Sequence, residues 1–152
     1  MGGYAVCNVL SYDGISSHDI RNVIAYSGFD YLKEIIEAFF GANDNLVKKI
    51  AADVICLGQA LLFGKMFFYR SSDAVNSNPD IKFIIVHGSK NEEVEIDSTA
   101  LISKALTNSN VKKIIVTEEG LNTHMGVIRN ENVHKPVVNT PLLDAIIACM
   151  VY

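Results

Sequence analysis

Three short β-branched runs punctuate the second half of this chain: KFIIVH at Lys82 to His87, KIIVT at Lys113 to Thr117 and PVVN at Pro136 to Asn139. Each is apolar at consecutive positions, so a strand made from it turns hydrophobic side chains to both faces and must be covered on both. Each is also followed by a helix start: Asp97 or Ser98 after the first, Asn122 after the second, and Thr140 with Pro141 at the first helical position after the third. Strands of this kind alternating with helices predict an α/β fold, a small parallel-sheet domain whose C-terminal half runs β-α-β-α-β-α.

The N-terminal region, residues 1–63, reads as mainly helical after one strand, and residues 64–152 as the β-α repeating part. YAVCNVLS at 4–11 predicts the strand, bounded by Gly3 and the turn-like Asp13-Gly14. Ser16 and Asp19 have the spacing of a capping box, and Ile20, Val23 and Ile24 recur at helical spacing up to Gly28. Tyr31 to Phe40 predicts a second helix, with Leu32, Ile35, Ile36, Phe39 and Phe40 on one side, Lys33, Glu34 and Glu37 on the other, and Gly41 closing it. From Asn43, the stripe Leu46, Val47, Ile50, Val54, Leu57 and Leu61 predicts a third helix of roughly four to five turns. Val54 to Leu57 also suits a buried strand, so residues 50–60 stay open between the two. Met66 to Tyr69 reads as a strand and Ser71 to Pro79 as a surface loop.

At 152 residues the chain has the length of one domain. With 49% hydrophobic residues, 20% charged residues, a net charge of -4 and no basic stripe, it lacks the footprint of a nucleic-acid binder. The start MGGYAVCNVLSYDG has no basic segment leading into an apolar run, as a secretory signal would, and the expected location is cytoplasmic. The apolar stretch Ile50 to Gly64 is interrupted by Asp53 and Gln59 and stops at Lys65, so it reads as a core element with no membrane partner. Cys7, Cys56 and Cys149 sit far apart inside apolar runs, match no metal-ligand spacing and read as buried thiols, with no metal site expected. The aromatic residues at 26, 29, 31, 39, 40, 63, 67, 68 and 69 have no interleaved basic residues and read as core.

In open α/β sheets ligands bind at the carboxyl ends of the strands, where helix N-termini present unpaired N–H groups to anions. Three loops qualify: His87-Gly88-Ser89-Lys90 with its continuation Asn91-Glu92-Glu93, then Thr117 to His124, then Asn139-Thr140-Pro141. His124 is expected in the first turn of a helix and is the residue singled out for chemistry. Gly88, Ser89, Lys90, Thr117, Gly120, Asn122, Thr123, Arg129 and Thr140 form the expected ligand-binding set around it. Glu118 and Glu119 oppose an anion there unless they hold a metal. His87, at a strand end, is a weaker candidate. Asp144 can face the same cleft, while His18 and His134 have no evident partner.

The segment VTEEGLNTHMGVIR, Val116 to Arg129, followed by Lys135-Pro136-Val137-Val138, resembles the phosphohistidine segment of the mobile domain of phosphoenolpyruvate-utilising enzymes. That family runs Val-Thr, a Gly-Gly loop, Ser/Thr-Ser-His, an apolar helix with an arginine, then Pro-x-Val-Val. Here Gly120 stands alone where the family has two glycines. The resemblance covers about residues 62–139 and implies that His124 corresponds to the phosphorylated histidine, with Thr123 and Arg129 near the phosphate. A strand-loop-helix-strand ending in Pro-Val-Val is also similar to the C-terminal domain of pyruvate kinase.

Two functions are therefore expected. One is a phosphoryl carrier or phosphotransfer-related domain in which His124 accepts a phosphoryl group. The alternative is a non-catalytic Rossmann-like module that binds a small anionic ligand or a partner protein. The Phe39-Phe40 and Phe67-Phe68 pairs, if exposed, would then serve a homo-oligomer. No motif indicates a cofactor.

Overall fold

The computed structural model describes residues 2–12, 15, 18–42, 45–130 and 137–151. Asp13, Gly14, Ser16, Asn43, His134, Lys135 and Pro136, on which several expectations fell, lie outside the described residues. The fold is α/β. Strands β1 (Asn22–Tyr26), β2 (Lys82–Gly88) and β3 (Val111–Val116) form a parallel sheet in the order β1-β2-β3. Val23 pairs with Phe83 on one side of β2, and Phe83 with Val111 on the other.

Residues Phe83, Ile84, Ile85, Val86 and His87 are all fully buried, as expected of a strand covered on both faces. Phe83 and Ile85 join Val23 and Ala25 of β1 on one face, where Cys7, Leu10, Phe29, Val75 and Leu101 complete the cluster. Ile84 and Val86 pack on the other face against Val127, Leu142 and Ile146. The last two belong to helix α5 (Thr140–Val151), which starts one residue earlier than Pro141 would suggest and is capped by Asn139, whose Oδ1 accepts from the Leu142 N–H.

The N-terminal region is helical as expected, but its first two elements are exchanged. Residues Gly2–Asn8 form helix α1, followed by a 3-10 turn at Val9–Ser11, where a strand was expected. The decisive feature is Gly3. A side chain there would bring its Cβ 2.7 Å from the Gly28 Cα and from the Tyr26 carbonyl oxygen, so the helix can lie directly on the end of β1. Tyr4 then stacks on Phe29, with ring centroids 4.6 Å apart. Conversely, Val23 and Ile24, read at helical spacing, lie in β1. Both faces of that strand are covered, and a short run apolar on both sides carries no period that separates strand from helix.

Helix α2 (Leu32–Phe40) is as expected, with the Gly41 N–H donating to the Ala38 and Glu37 carbonyls. Helix α3 (Leu46–Phe63) resolves the open choice over residues 50–60 in favour of helix, capped by Asn45, whose Oδ1 accepts from the Val47 and Lys48 N–H groups. It is not the core element that its composition suggested: Ala52 and Cys56 are its buried residues, while Leu46, Val47, Leu61 and Leu62 are mostly exposed. By length and composition, Leu46–Phe68 is also long and apolar enough to cross a membrane. Of the aromatic residues read as core, Phe29 and Phe67 are buried, whereas Phe39, Phe63 and Phe68 are exposed.

Met66 to Tyr69 is not a strand; Gly64–Phe68 forms a 3-10 turn. The expected loop after it contains helix α4 (Ser71–Asn76), with Ser71, Ser72, Ala74 and Val75 buried. Its small polar residues are buried because each has a partner. Ser71 Oγ donates to the Phe29 carbonyl and accepts from Asn8 Nδ2, and the Ser72 N–H donates to Asp30 Oδ1 at 2.7 Å.

The connection from β2 to β3 contains no helix at Asp97 or Ser98, only a 3-10 turn at Leu101–Ser103. Residues 120–128 form turns, so no helix begins at Asn122. Val137–Val138, expected as a third parallel strand, is β5, paired antiparallel with β4 (Arg129–Asn130) outside the main sheet. Around Asn91, Asn122 and Thr123 short polar side chains take backbone hydrogen bonds that a helix would have used.

Candidate functional site

The carboxyl ends of the three parallel strands meet at His124. Ser27, directly after β1, has a left-handed φ of 47° and is buried; its N–H donates to the Val86 carbonyl and its Oγ to the His124 carbonyl at 3.0 Å. After β2, Gly88 lets the loop that follows β3 pass against it, since a Cβ at Gly88 would collide with the backbone carbonyl of Asn122. The Lys90 N–H then donates to that carbonyl at 2.8 Å. Asn122 is itself buried, with Nδ2 donating to the Thr117 carbonyl. His124, itself on the loop after β3, is thus tied to the segment after β1 through Ser27, and the segment after β2 holds the Asn122 backbone two residues before it.

Its imidazole has two neighbours. Nδ1 lies 3.2 Å from Asn91 Oδ1, and Nε2 lies 3.5 Å from Glu93 Oε2. Asn91 Oδ1 also accepts from the backbone N–H groups of Glu93 and Val94 at 3.1 and 3.0 Å. Those two amides can only donate, so the atom facing His124 is the carboxamide oxygen. Nδ1 must therefore carry the proton and donate, which leaves the lone pair of the neutral ring on Nε2.

His87 is fully buried beneath this pair, with Nε2 donating to the Val94 carbonyl at 2.9 Å. Burial pushes its imidazole below the ordinary value; the bond to Val94 works against this, and the neighbouring His124 adds to it. His87 is accordingly a neutral support. Three buried polar atoms in this region have no hydrogen-bond partner among the described residues: His87 Nδ1, Asn91 Nδ2 and Thr99 Oγ1. Such orphans concentrate where strain or function is at stake.

His124, Glu93 and Thr99 line a cavity of about 570 Å³ together with Phe29, Ile35, Ala38, Phe39, Glu92, Val94 and Glu95. A second polar cluster lies behind α2. The buried Asp30 carboxylate meets Arg70 at 3.2 Å, Arg70 also meets Glu34 at 3.2 Å, and Glu34 meets Lys104 at 3.1 Å. Burial, with Asp30 adding to it, pushes the Cys7 thiol up to about 12, which leaves it protonated and unreactive at neutral pH.

Of the expected residues, Gly88 and the Lys90 N–H meet the backbone of Asn122, two residues before His124. Ser89 donates its N–H to the Val116 carbonyl and lines a separate depression with Lys90. Thr117 is exposed, Gly120 is buried in the turn before Leu121, and Thr123 Oγ1 accepts from the Gly126 N–H in a local turn. Arg129 stands in the β4–β5 pair and Thr140 opens α5; neither is among the described residues lining the cavity. His18 and Asp144 are exposed. The residues not singled out were Asn91, Glu93, Ser27 and Thr99. Asn91, three residues after β2, had only the local signal of an asparagine suited to an Asx turn, which does not announce His124 as its partner. Among the described residues no group of three or more His, Cys, Asp or Glu side chains is placed to hold a metal ion. No family model matches this chain, and neither does any curated protein or solved structure.

Proposed function

We propose that His124 is the general acid–base of an acyl-group hydrolase, with Asn91 as the residue that orients it. The observation that carries this reading is the fixed tautomer: the Glu93 and Val94 amides lock the Asn91 carboxamide, and the carboxamide locks the imidazole. A histidine held through Nδ1, with a basic Nε2 beside a cavity, is the working half of a nucleophile–histidine–orienter relay, in which asparagine is one of the known orienters. The chain order, orienting residue first and histidine later, is that of the relay in α/β-hydrolases.

In the reaction Nε2 takes a proton from water as the water oxygen bonds to the acyl carbon. The imidazolium is held by Asn91 Oδ1 and by the Glu93 carboxylate. Nε2 then returns the proton to the departing oxygen as the acyl bond breaks. Ser27 is a positioning residue in this scheme, because its hydroxyl is occupied by the His124 carbonyl.

The phosphoryl-carrier reading also keeps His124 as the reactive group, but its supports are weaker. Among the described residues no helix N-terminus stands behind the ring, and the charged group beside it is the Glu93 carboxylate, which repels phosphate. The test is hydrolysis of p-nitrophenyl butyrate by the full chain. The wild type turns it over, and His124→Ala lowers kcat/KM by roughly 10²–10⁴-fold. Independently, nitrogen NMR of His124 finds the proton on Nδ1, and Asn91→Leu moves it. Absence of turnover on short- and medium-chain esters overturns the reading, and acid-labile label on His124 from phosphoenolpyruvate favours the carrier.

A further inference from the structure

The cavity beside His124 has two unlike walls. Phe29, from the end of β1, and Ile35, Ala38 and Phe39, from α2, make one wall apolar. Glu92, Glu93 and Glu95, from the loop after β2, put carboxylates on the other. No lysine or arginine is among the described residues lining it. Of the cations on the flanking elements, Lys33 meets Glu37 at 3.5 Å and Lys104 meets Glu34 at 3.1 Å, while Lys90 lines the neighbouring depression with Ser89. At about 570 Å³ the cavity has the size of a small-molecule site.

Resting on the acyl-hydrolase reading, we propose that this cavity selects acyl compounds with an apolar chain and a neutral or cationic remainder, and turns away substrates bearing a carboxylate or phosphate. The apolar wall takes a short aliphatic chain through area removed from water. The acidic wall raises the local concentration of a cation and repels an anion, and a partly enclosed cleft focuses that field. The exposed ring of Phe39 at the rim adds a face on which a quaternary ammonium group can sit. Thr99 contributes a hydroxyl that has no partner among the described residues and can turn about χ1 toward a bound polar group.

The test is a series of p-nitrophenyl esters matched in chain length: neutral pentanoate, cationic 4-trimethylammoniobutyrate and anionic glutarate monoester. At low salt kcat/KM falls from the cationic or neutral ester to the anionic one by about tenfold, and the gap shrinks in 0.5–1 M NaCl as screening sets in. Glu92→Gln with Glu95→Gln narrows it as well, and leaves the hydrogen-bonding shapes of both side chains in place. A glutarate ester turned over as fast as pentanoate, or a ratio indifferent to salt and to the double variant, overturns the proposal. Thermal melting with tetrabutylammonium against butanesulfonate reads the same preference without turnover. If no ester is hydrolysed but the ammonium ion alone raises the melting temperature, the selectivity stands and the hydrolase reading falls; if the sulfonate stabilises as well or better, the selectivity falls.

Discussion

Between β1 and β2 the chain crosses the sheet through α2, α3 and α4; between β2 and β3 it crosses through residues 89–110, where the only helical piece among the described residues is the 3-10 turn Leu101–Ser103. The regular crossover is the less buried of the two. Helix α3 exposes Leu46, Val54, Leu61 and Leu62, whereas the irregular crossover buries Asn91, Val94, Thr99, Ala100, Leu101, Ile102 and Asn108. A loop can be buried only if its backbone polar groups find partners, and this one finds them in its own side chains and carbonyls. Asn91 Oδ1 takes two amides, the Glu95 carbonyl takes the N–H groups of Ser98, Thr99 and Ala100, and Asn108 Nδ2 reaches the carbonyls of Val75, Asn78 and Ile81. The Asn91 bonds fix the oxygen that faces His124.

The largest expected effect sets the two crossovers against each other directly. Leu101→Ala empties a fully buried position in the irregular crossover and costs about 2–5 kcal/mol of unfolding free energy. Leu61→Ala, at an 80% exposed position on α3, changes it by less than about 0.5 kcal/mol. Urea denaturation of both variants checks the contrast, and equal losses would break it. A middle-sized effect comes from the polar ties. Asn108→Ala leaves the Val75 carbonyl without its side-chain donor and the Asn110 N–H without Oδ1, costing about 1–3 kcal/mol. Asn45→Ala removes an exposed helix cap and costs about 1 kcal/mol. Denaturation midpoints that rank the two in the opposite order would show that the loop is held by something other than its side chains.

The same contrast explains what was legible in the sequence. Helix α2, with its apolar side and closing Gly41, and strands β2 and β3, with their unbroken β-branched runs, announce themselves locally, because each satisfies its backbone by a regular ladder. Helix α1 depends on Gly3 meeting Gly28, a contact between distant residues that no local pattern carries. Ser71 and Ser72 look like loop residues because the buried partners that make them core, Asn8, Phe29 and Asp30, are far away in the chain. At the candidate site, His124 was singled out for a place in the first turn of a helix that the structure does not form. Its partner was not legible, since Asn91 lies 33 residues away and no helix joins the two.

The smallest effect concerns His87, which the irregular crossover covers completely. Its pKa is lowered in the folded protein, first by burial, so the unfolded chain binds its proton more readily. The stabilisation from keeping it neutral is therefore full above the unfolded value near 6.5 and is lost as the pH falls below it toward the lowered folded value. By pH 6 the loss attributable to one histidine is under about 1 kcal/mol, whatever the size of the shift. Chemical denaturation at pH 7.5 and pH 6.0 measures it. His87→Gln keeps a donor for the Val94 carbonyl but cannot titrate, so its fall in stability over this range should be smaller than that of the wild type. An equal fall in both proteins would assign the titration to a group other than His87.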